Sequence, residues 1–401
     1  MKHGKEAAYL ITLLHSGSNG ESPETPNILL NWEWVHEIAN RHKVSYIAYD
    51  GIEFLPKGKK PSEEIIQYFK KDIEEMKEKN KMQIEEVDRL IVFFKKEQIS
   101  LTLLYDWPMK ELYPLPEMRQ VDIIDILLDV PIDERIDYFM NSLGYDRIHK
   151  GVASSIYSND PMIQIRLYSS LFWNNKQLKQ YYEDVWDKLE EIEGQEYIYR
   201  FSMEDFYILY IAHLAERCKE ARVDLRPFLD LWKYTQYYIS DLDWQYIEEE
   251  MEKLSLEIFN YRVMQLIEYW FGGEKEEISS TIEKLGEFIF QSGNYGREQT
   301  RILIGIADKF ADGDLDKAKK QYIRERLFLN KGEMKENYNN LQKRPYLLPF
   351  YEVGRISKGV FGNFKKSMGE YQKIQNAKKS DIKQMSALMK NIGIKREDKN
   401  S

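Results

Sequence analysis

The chain has 401 residues, a net charge of −9, and 31% charged against 43% hydrophobic residues. That length predicts two or three domains rather than a single core, and 13% aromatic content excludes a disordered composition. No window approaches about 18 uninterrupted apolar residues, which excludes a membrane-spanning helix. The single cysteine, Cys218, excludes a disulfide framework or a multi-cysteine zinc site.

The opening MKHGKEAAYLITLLHSGSNG carries a short apolar run without a small-residue cleavage site, so a cytoplasmic protein is expected. The mildly acidic balance argues against general nucleic-acid binding. From Lys365 onward, ten Lys and Arg face four Asp and Glu. A solvated, partly frayed tail is the plainer reading, with an anionic partner as the alternative.

Residues 5–15 are apolar at helical spacing, and SGSNGESPETPN then breaks the pattern. A helix is expected from about Asn31 to His42. From Pro61 a long helix follows, its stripe formed by Ile65, Phe69, Ile73, Met76, Ile84, Val87, Ile91 and Phe94. The character changes near Gln98. ISLTLLYD, VDIIDILLDV and MIQIRLYSSLF read as strands, and DERIDYFMNSLGY reads as a helix stopped at Gly144. Beyond Met203 the pattern is helical again. MEDFYILYIAHLAERCKEA reads as an amphipathic helix, followed by helices at 225–238, 246–270 and 278–291. SGNYG is a turn, and RPYLLPFYEVGRI precedes an amphipathic basic stretch. The expected division is a helical region at 1–95, an α/β domain at 96–200, a helical domain at 201–360 and a basic helical or frayed tail at 361–401.

The chemistry-bearing candidates are few. The strand VDIIDILLDV carries Asp129 and, before it, Asp122 and Asp125, and carboxylates near a strand end can hold Mg²⁺ against nucleotide phosphates; Asp122 and Asp125 are the candidate pair. Three residues apart, they point to opposite faces of a regular strand unless a bulge intervenes. The six histidines make no two-His helical motif. His36 and His42 lie about 240° apart around a helix. Gly-x-Ser-x-Gly, Walker and dinucleotide fingerprints are absent from the sequence.

The segment LLYDWPMKELYPLPEMRQVDIIDILLDV, then Gly144-Tyr145, then MIQIRLYSSLF, resembles the uncharacterised nucleotidyltransferase family of bacteria, a branch of the polymerase-β-like superfamily. Tyr113-Pro114, Pro116 and Arg119 fall at the family spacing. NWEWVHEIANRHKVSYIAYDGI is similar to the family's N-terminal segment. AHLAERCKEARVDLRPFLDLWKY is similar to its helical stretch through His213, Leu225-Arg226 and Asp230-Leu231. QSGNYG and YNNLQKRPYLLPFYEVGRI are similar to its late segments, so that the resemblance runs over about residues 5–360. It implies an α+β (mixed α/β) fold: a small nucleotidyltransferase-type mixed sheet with helices, flanked by N-terminal and larger C-terminal helical regions.

The resemblance also shows where this chain departs from the family. The Lys-Gly turn that cradles phosphate is Tyr105-Asp106 here, and losing Gly removes close backbone approach. The first metal aspartate falls on Ile123, the second on Asp125, the third carboxylate on Gln164 and the following His on Arg166. Asp125 is therefore the one metal-ligand candidate in the family frame, with Asp122 one residue early, and Arg166 is placed to neutralise Asp125. Tyr105, Asp106, Arg119, Gln164, Arg166, His213, Arg226 and Asp230 are the cleft candidates, with a structural ion pair the plainer role for Arg119 and helix ties for His213, Arg226 and Asp230. Cys218 reads as a buried apolar residue. The favoured expectation is a binding or regulatory protein needing no cofactor, its partner a nucleotide or a protein. The alternative is a Mg²⁺-dependent enzyme moving NMP from an NTP to a hydroxyl, with Asp122 and Asp125 as catalytic ligands.

Overall fold

The computed structural model describes residues 4–160, 163–273, 277–293, 298–310, 313–327 and 364–394. The late segment YNNLQKRPYLLPFYEVGRI and most of SGNYG lie outside them. Among the described residues, no helix is long and apolar enough to cross a membrane.

Four helices come first: α1 (Gly4–Asn19), α2 (Trp32–Arg41), α3 (Ser45–Glu53) and α4 (Glu63–Lys96). The helix expected over 31–42 is α2, and it starts where it does because the Asn31 side chain accepts from the Trp34 N–H. Helices α1 and α3 pack almost backbone to backbone. A Cβ on Gly51 would sit 2.3 Å from the Leu13 carbonyl oxygen, and one on Gly17 would sit 1.9 Å from that of Ile47.

The 34-residue α4 joins two cores. Ile65, Phe69, Ile73 and Met76 bury in the large helical core, whereas Val87, Leu90 and Phe94 bury against the sheet. The expected stripe slips in the middle. Ile84 is 39% exposed, and the inward position belongs to Gln83, 1% exposed, which donates to the Val121 carbonyl. A straight helix drifts out of phase with a strict repeat over this length, and here a buried loop carbonyl requires a donor at the slip.

The sheet has seven strands: β1 (Leu101–Leu103), β2 (Ile124–Leu128), β3 (Asp146–Lys150), β4 (Ser154–Asp160), β5 (Ile163–Tyr168), β6 (Leu189–Glu191) and β7 (Ile198–Phe201), in the order β3-β4-β5-β2-β1-β7-β6. It is mixed, with β2 parallel to β5 and β1 parallel to β7, and the other neighbours antiparallel. Strand β2 is buried along its whole length. Helix α5 (Glu134–Ser142) follows it and ends before Gly144, whose φ of +85° is the left-handed stop that glycine accepts at little cost. Strands β3, β4, β6 and β7 were not singled out by the sequence; β3 is exposed throughout and carries no alternation to read.

Helices α6 (Lys176–Tyr181), α7 (Met203–Lys219), α8 (Arg226–Tyr238), α9 (Trp244–Lys253), α10 (Glu257–Phe271) and α11 (Ser280–Ser292) complete the large helical core. Two expectations need correction. Helix α7 is buried nearly all round, Phe206 to Ala212 without interruption, so it is a central helix rather than an amphipathic one. The single helix expected over 246–270 is two, broken at Ser255, whose φ is +54°. Neither Gly nor Pro marks that break. Cys218 is fully buried, as expected. Helices α12 (Glu298–Lys309), α13 (Leu315–Leu327), α14 (Phe364–Asn376) and α15 (Lys379–Asn391) share a third, smaller core around Ile302, Ile306, Ala318 and Ile382. The described part of the basic tail is thus helical and packed rather than frayed.

The α1–α3 contact yields a direct test. Gly51→Ala forces two helix backbones apart and is expected to cost about 2 kcal/mol or more, read as a lowered midpoint in urea unfolding. An unchanged midpoint would contradict the close packing.

Candidate functional site

The candidate residues converge where the loops around β1 and β2 meet α7 and α8. Two arginines lie at the centre with almost no solvent access, Arg119 at 1% and Arg226 at 1% exposure. A buried guanidinium is tolerable only when its donors are paired. Arg119 donates to Asp230 through Nε (2.8 Å to Oδ1) and Nη2 (2.6 Å to Oδ2), the fork geometry that favours Arg over Lys. Its Nη2 also lies 3.0 Å from Asp106 Oδ1. Asp230 further accepts from the hydroxyls of Tyr113 (2.7 Å) and Tyr210 (2.6 Å).

Arg226 is paired in the same way. It holds Asp224 through Nε (3.0 Å) and Nη2 (2.9 Å), and Asp122 through Nη2 (3.0 Å). Both arginines donate an Nη1 to one acceptor, the Gln120 carbonyl, at 2.6 and 2.7 Å. Arg217, one turn beyond His213 on α7, reaches Asp224 (3.1 Å) and lies 3.9 Å from Asp106.

The sheet side of the site is set by register. Ile124 pairs with Ile165 and Asp125 with Arg166 across the parallel β2–β5 pair. Ile123 lies just before β2, outside this ladder, and Gln164 pairs with Ser158 of β4. Residues 164 and 166 share the face of β5 on which Arg166 stands beside Asp125, since side chains two apart in a strand point the same way. Arg166 Nη1 lies 3.5 Å from Asp125 Oδ1 and donates to the Tyr168 hydroxyl at 2.9 Å. Asp125 and Asp122 are not brought together. Asp122 precedes β2 and turns to Arg226 and, at 4.0 Å, to Lys79. The β2–β5 register runs without a bulge.

Tyr105 and Asp106 form the turn after β1. The left-handed residue is Tyr105, with φ +49°, a conformation that strains a bulky side chain. Its ring stacks on His213, 3.8 Å between centroids and 14° between planes. Gln164 is half-buried on β5.

The charges set opposite proton affinities within one cluster. Burial is the strongest influence on Asp106 and pushes its carboxyl up, but Arg119, Arg217 and Arg226 together more than offset it and hold it well below the usual range. Asp224 is likewise held down to about 2, its burial outweighed by Arg226 and Arg217. Asp125 goes the other way, to about 6: burial dominates, and the Arg166 charge at 3.5 Å offsets only part of it. Burial, with Arg217 beside it, pushes His213 down to about 3 and keeps its ring neutral.

The family's chemistry implies Mg²⁺, which requires near-octahedral oxygen ligation. Among the described residues, no group of three or more His, Cys, Asp or Glu side chains comes together as a metal site. Asp125 and Asp122 each face a guanidinium instead. These residues do not fit the metal.

Sequence reasoning missed Arg217, Asp224, Tyr210, Gln120 and Tyr168. Two of these had a readable signal. Arg217 lies four residues after His213 on one helix face, and Asp224 lies two before Arg226, where its carboxylate also accepts the Arg226 N–H at 2.9 Å.

A mixed sheet with a charged patch on two parallel neighbours, capped by helices, is the frame of a nucleotidyltransferase-type α+β protein. Residues 29–272, more than half of the chain, match the family described as Uncharacterised nucleotidyltransferase, and the chain belongs to that family. The match is shorter than the 5–360 expected, and the late segments fall beyond it. No curated protein and no solved structure matches the chain.

Removing one partner from this network leaves a buried charge. Asp230→Ala strips Arg119, Tyr113 and Tyr210 of an acceptor and is expected to destabilise by about 3–5 kcal/mol, measured by urea unfolding; a loss below about 1 kcal/mol would show that water replaces the carboxylate. Asp224 adds a pH signature. Its folded pKa lies below the unfolded value, so its contribution is complete above pH about 4 and fades as pH falls toward about 2. The stability gap between the wild type and Asp224→Asn is expected to be about 2 kcal/mol or more at pH 6 and to narrow steadily below pH 4. A gap independent of pH would contradict the assignment.

Proposed function

We propose that the chain is a nucleotidyltransferase-fold binding or regulatory module that does not perform metal-dependent nucleotidyl transfer. The observation that carries this reading is the Asp125–Arg166 pair. The one carboxylate at a family metal position faces a guanidinium at 3.5 Å, where the family pattern has a histidine. Transfer of a nucleotidyl group depends on metal ions that neutralise the triphosphate and align the attacking oxygen. Here the two remaining metal positions are Ile123 and Gln164, neither of which supplies a carboxylate.

The turn that would cradle phosphate supports the same reading. Tyr105 fills it with a ring stacked on His213, and Asp106 adds a carboxylate already committed to Arg119. The helical side contributes Arg217, Arg226 and Asp230 to hold the cleft in one arrangement. The scaffold suits recognition in a fixed geometry better than the closing and opening of a catalytic cycle. The competing activity is transfer of NMP from an NTP to an acceptor hydroxyl, with Asp122 and Asp125 holding Mg²⁺.

Incubation of the wild type with each of the four radiolabelled NTPs, Mg²⁺ and a cell-extract acceptor pool is expected to label nothing. The triple variant Ile123→Asp, Gln164→Glu, Arg166→His, which rebuilds the family pattern, is expected to gain Mg²⁺ binding by calorimetry. Label transfer by the wild type would sink the binding-module reading. A folded triple variant with no affinity for Mg²⁺ would refute the placement of these three positions.

A further inference from the structure

The sheet ends on one side in β3, and among the described residues no further strand borders the free side of β3. All five of its residues are exposed, and Ile148 at its centre is 55% exposed. A free strand edge is a row of backbone donors and acceptors that another strand can pair with, and unused edges are blunted by charges or bulges. Both devices are present here, and each is arranged so that one particular partner satisfies it.

The charges are ordered along the strand, which reads Asp146, Arg147, Ile148, His149, Lys150. Antiparallel pairing with a second β3, centred on Ile148, sets Asp146 opposite Lys150 at both ends and Ile148 opposite itself. Opposite charges facing each other across a strand pair attract, and like charges repel. Arg147, which this pairing sets opposite His149, already has a counterion in Asp137 of α5. Other alignments match less well. A parallel in-register pair sets Asp against Asp, Arg against Arg and Lys against Lys. Sliding the antiparallel pair by one residue separates Asp146 from Lys150 in both directions, and in one of them sets Arg147 against Lys150.

The bulge points the same way. Strand β3 shifts register against β4 between Arg147 and His149, and Ile148 has no partner on β4. A bulge bends its strand and sharpens the twist, which hinders pairing with a regular foreign strand. A second copy carries the same bend at the same place, on the twofold axis, where the two exposed Ile148 side chains meet. The opposite edge of the sheet has no such pattern. Strand β6 is three residues long, Leu-Glu-Glu, and self-pairing centred on Glu190 sets that glutamate against itself.

We infer that β3 is the contact edge for a second copy of this chain, in a twofold-symmetric dimer whose sheet runs on from one copy into the other. Five residues a side bury less surface than a permanent dimer needs, so the pairing is reversible and depends on concentration. The inference is independent of the binding-module reading, since β4 separates β3 from the Asp125–Arg166 pair on β2 and β5.

The test is sedimentation velocity on the intact chain, where a monomer–dimer equilibrium with Kd of about 1–100 μM is expected. Lys150→Asp and Asp146→Lys each turn two attractions into repulsions and are expected to weaken association at least about tenfold. The double variant Asp146→Lys with Lys150→Asp, and an equimolar mixture of the two single variants, are expected to restore it. These positions are exposed, so the circular dichroism spectrum is expected to stay unchanged. Ile148→Cys is expected to give a disulfide-linked dimer on oxidation, the native Cys218 being buried. A chain that stays monomeric up to several hundred micromolar (about ten times the middle of that range) would overturn the proposal and leave the edge to a different partner or to none. A dimer that the single reversals leave unchanged, that the charge swap does not restore, or that Ile148→Cys does not link would place the contact on another face.

Discussion

Two guanidinium groups with nowhere to hydrate govern this molecule. Arg119 and Arg226 sit on either side of one peptide carbonyl, that of Gln120, and both donate to it. Each is closed off by aspartates, Asp230 and Asp106 from distant segments for Arg119, and the nearby Asp224 with the distant Asp122 for Arg226. Such an arrangement contributes little net stability against a well-packed apolar alternative, because desolvation offsets most of the Coulombic gain. What it supplies is a single way of fitting the parts together. Any slip between the β1–β2 loops and α7–α8 would strand a charge in a dry interior.

The sheet and the helices depend on this junction in different ways. The sheet core is apolar and would pack in several closely related arrangements, as hydrophobic contacts are not directional. The network fixes which arrangement is adopted. Strand β2 and its neighbour β5 set Asp125 opposite Arg166, next to the cluster that α7 and α8 complete. The acids Asp106, Asp122, Asp125, Asp224 and Asp230 are matched by Arg119, Arg166, Arg217, Arg226 and Lys79.

Much of the fold was legible in the residues. The strands β1, β2 and β5, helix α5 with its Gly144 stop, and helix α2 over 31–42 all follow from alternation, spacing and stop chemistry. The features that escaped notice are those that local patterns do not encode. The Ser255 break has no Gly or Pro to announce it, and the burial of α7 on every side depends on what surrounds it. The displacement of Ile84 by Gln83 answers a carbonyl 38 residues away. For the site, the family frame picked out Arg119, Arg226 and Asp230, but not that they interlock, since Arg119 and Asp230 are separated by 111 positions. The facing of Asp125 and Arg166, which the family frame already suggested, comes about through the β2–β5 register.

The even matching of charges also bears on how such a cleft can change over generations. Any single substitution toward a carboxylate-rich metal centre, at position 123 or 164, adds a negative charge to a set that is already neutral and largely dry. Any single loss of an arginine uncovers one. Intermediates in either direction carry an uncompensated charge, so a route between this arrangement and a carboxylate-rich one crosses a valley in stability rather than a slope. Arg119 and Arg226, tied to the same carbonyl, deepen that valley, because a change at either one disturbs the partners of both. Neutral drift at this junction is therefore confined to paired substitutions, and acid and base positions here should change together or not at all.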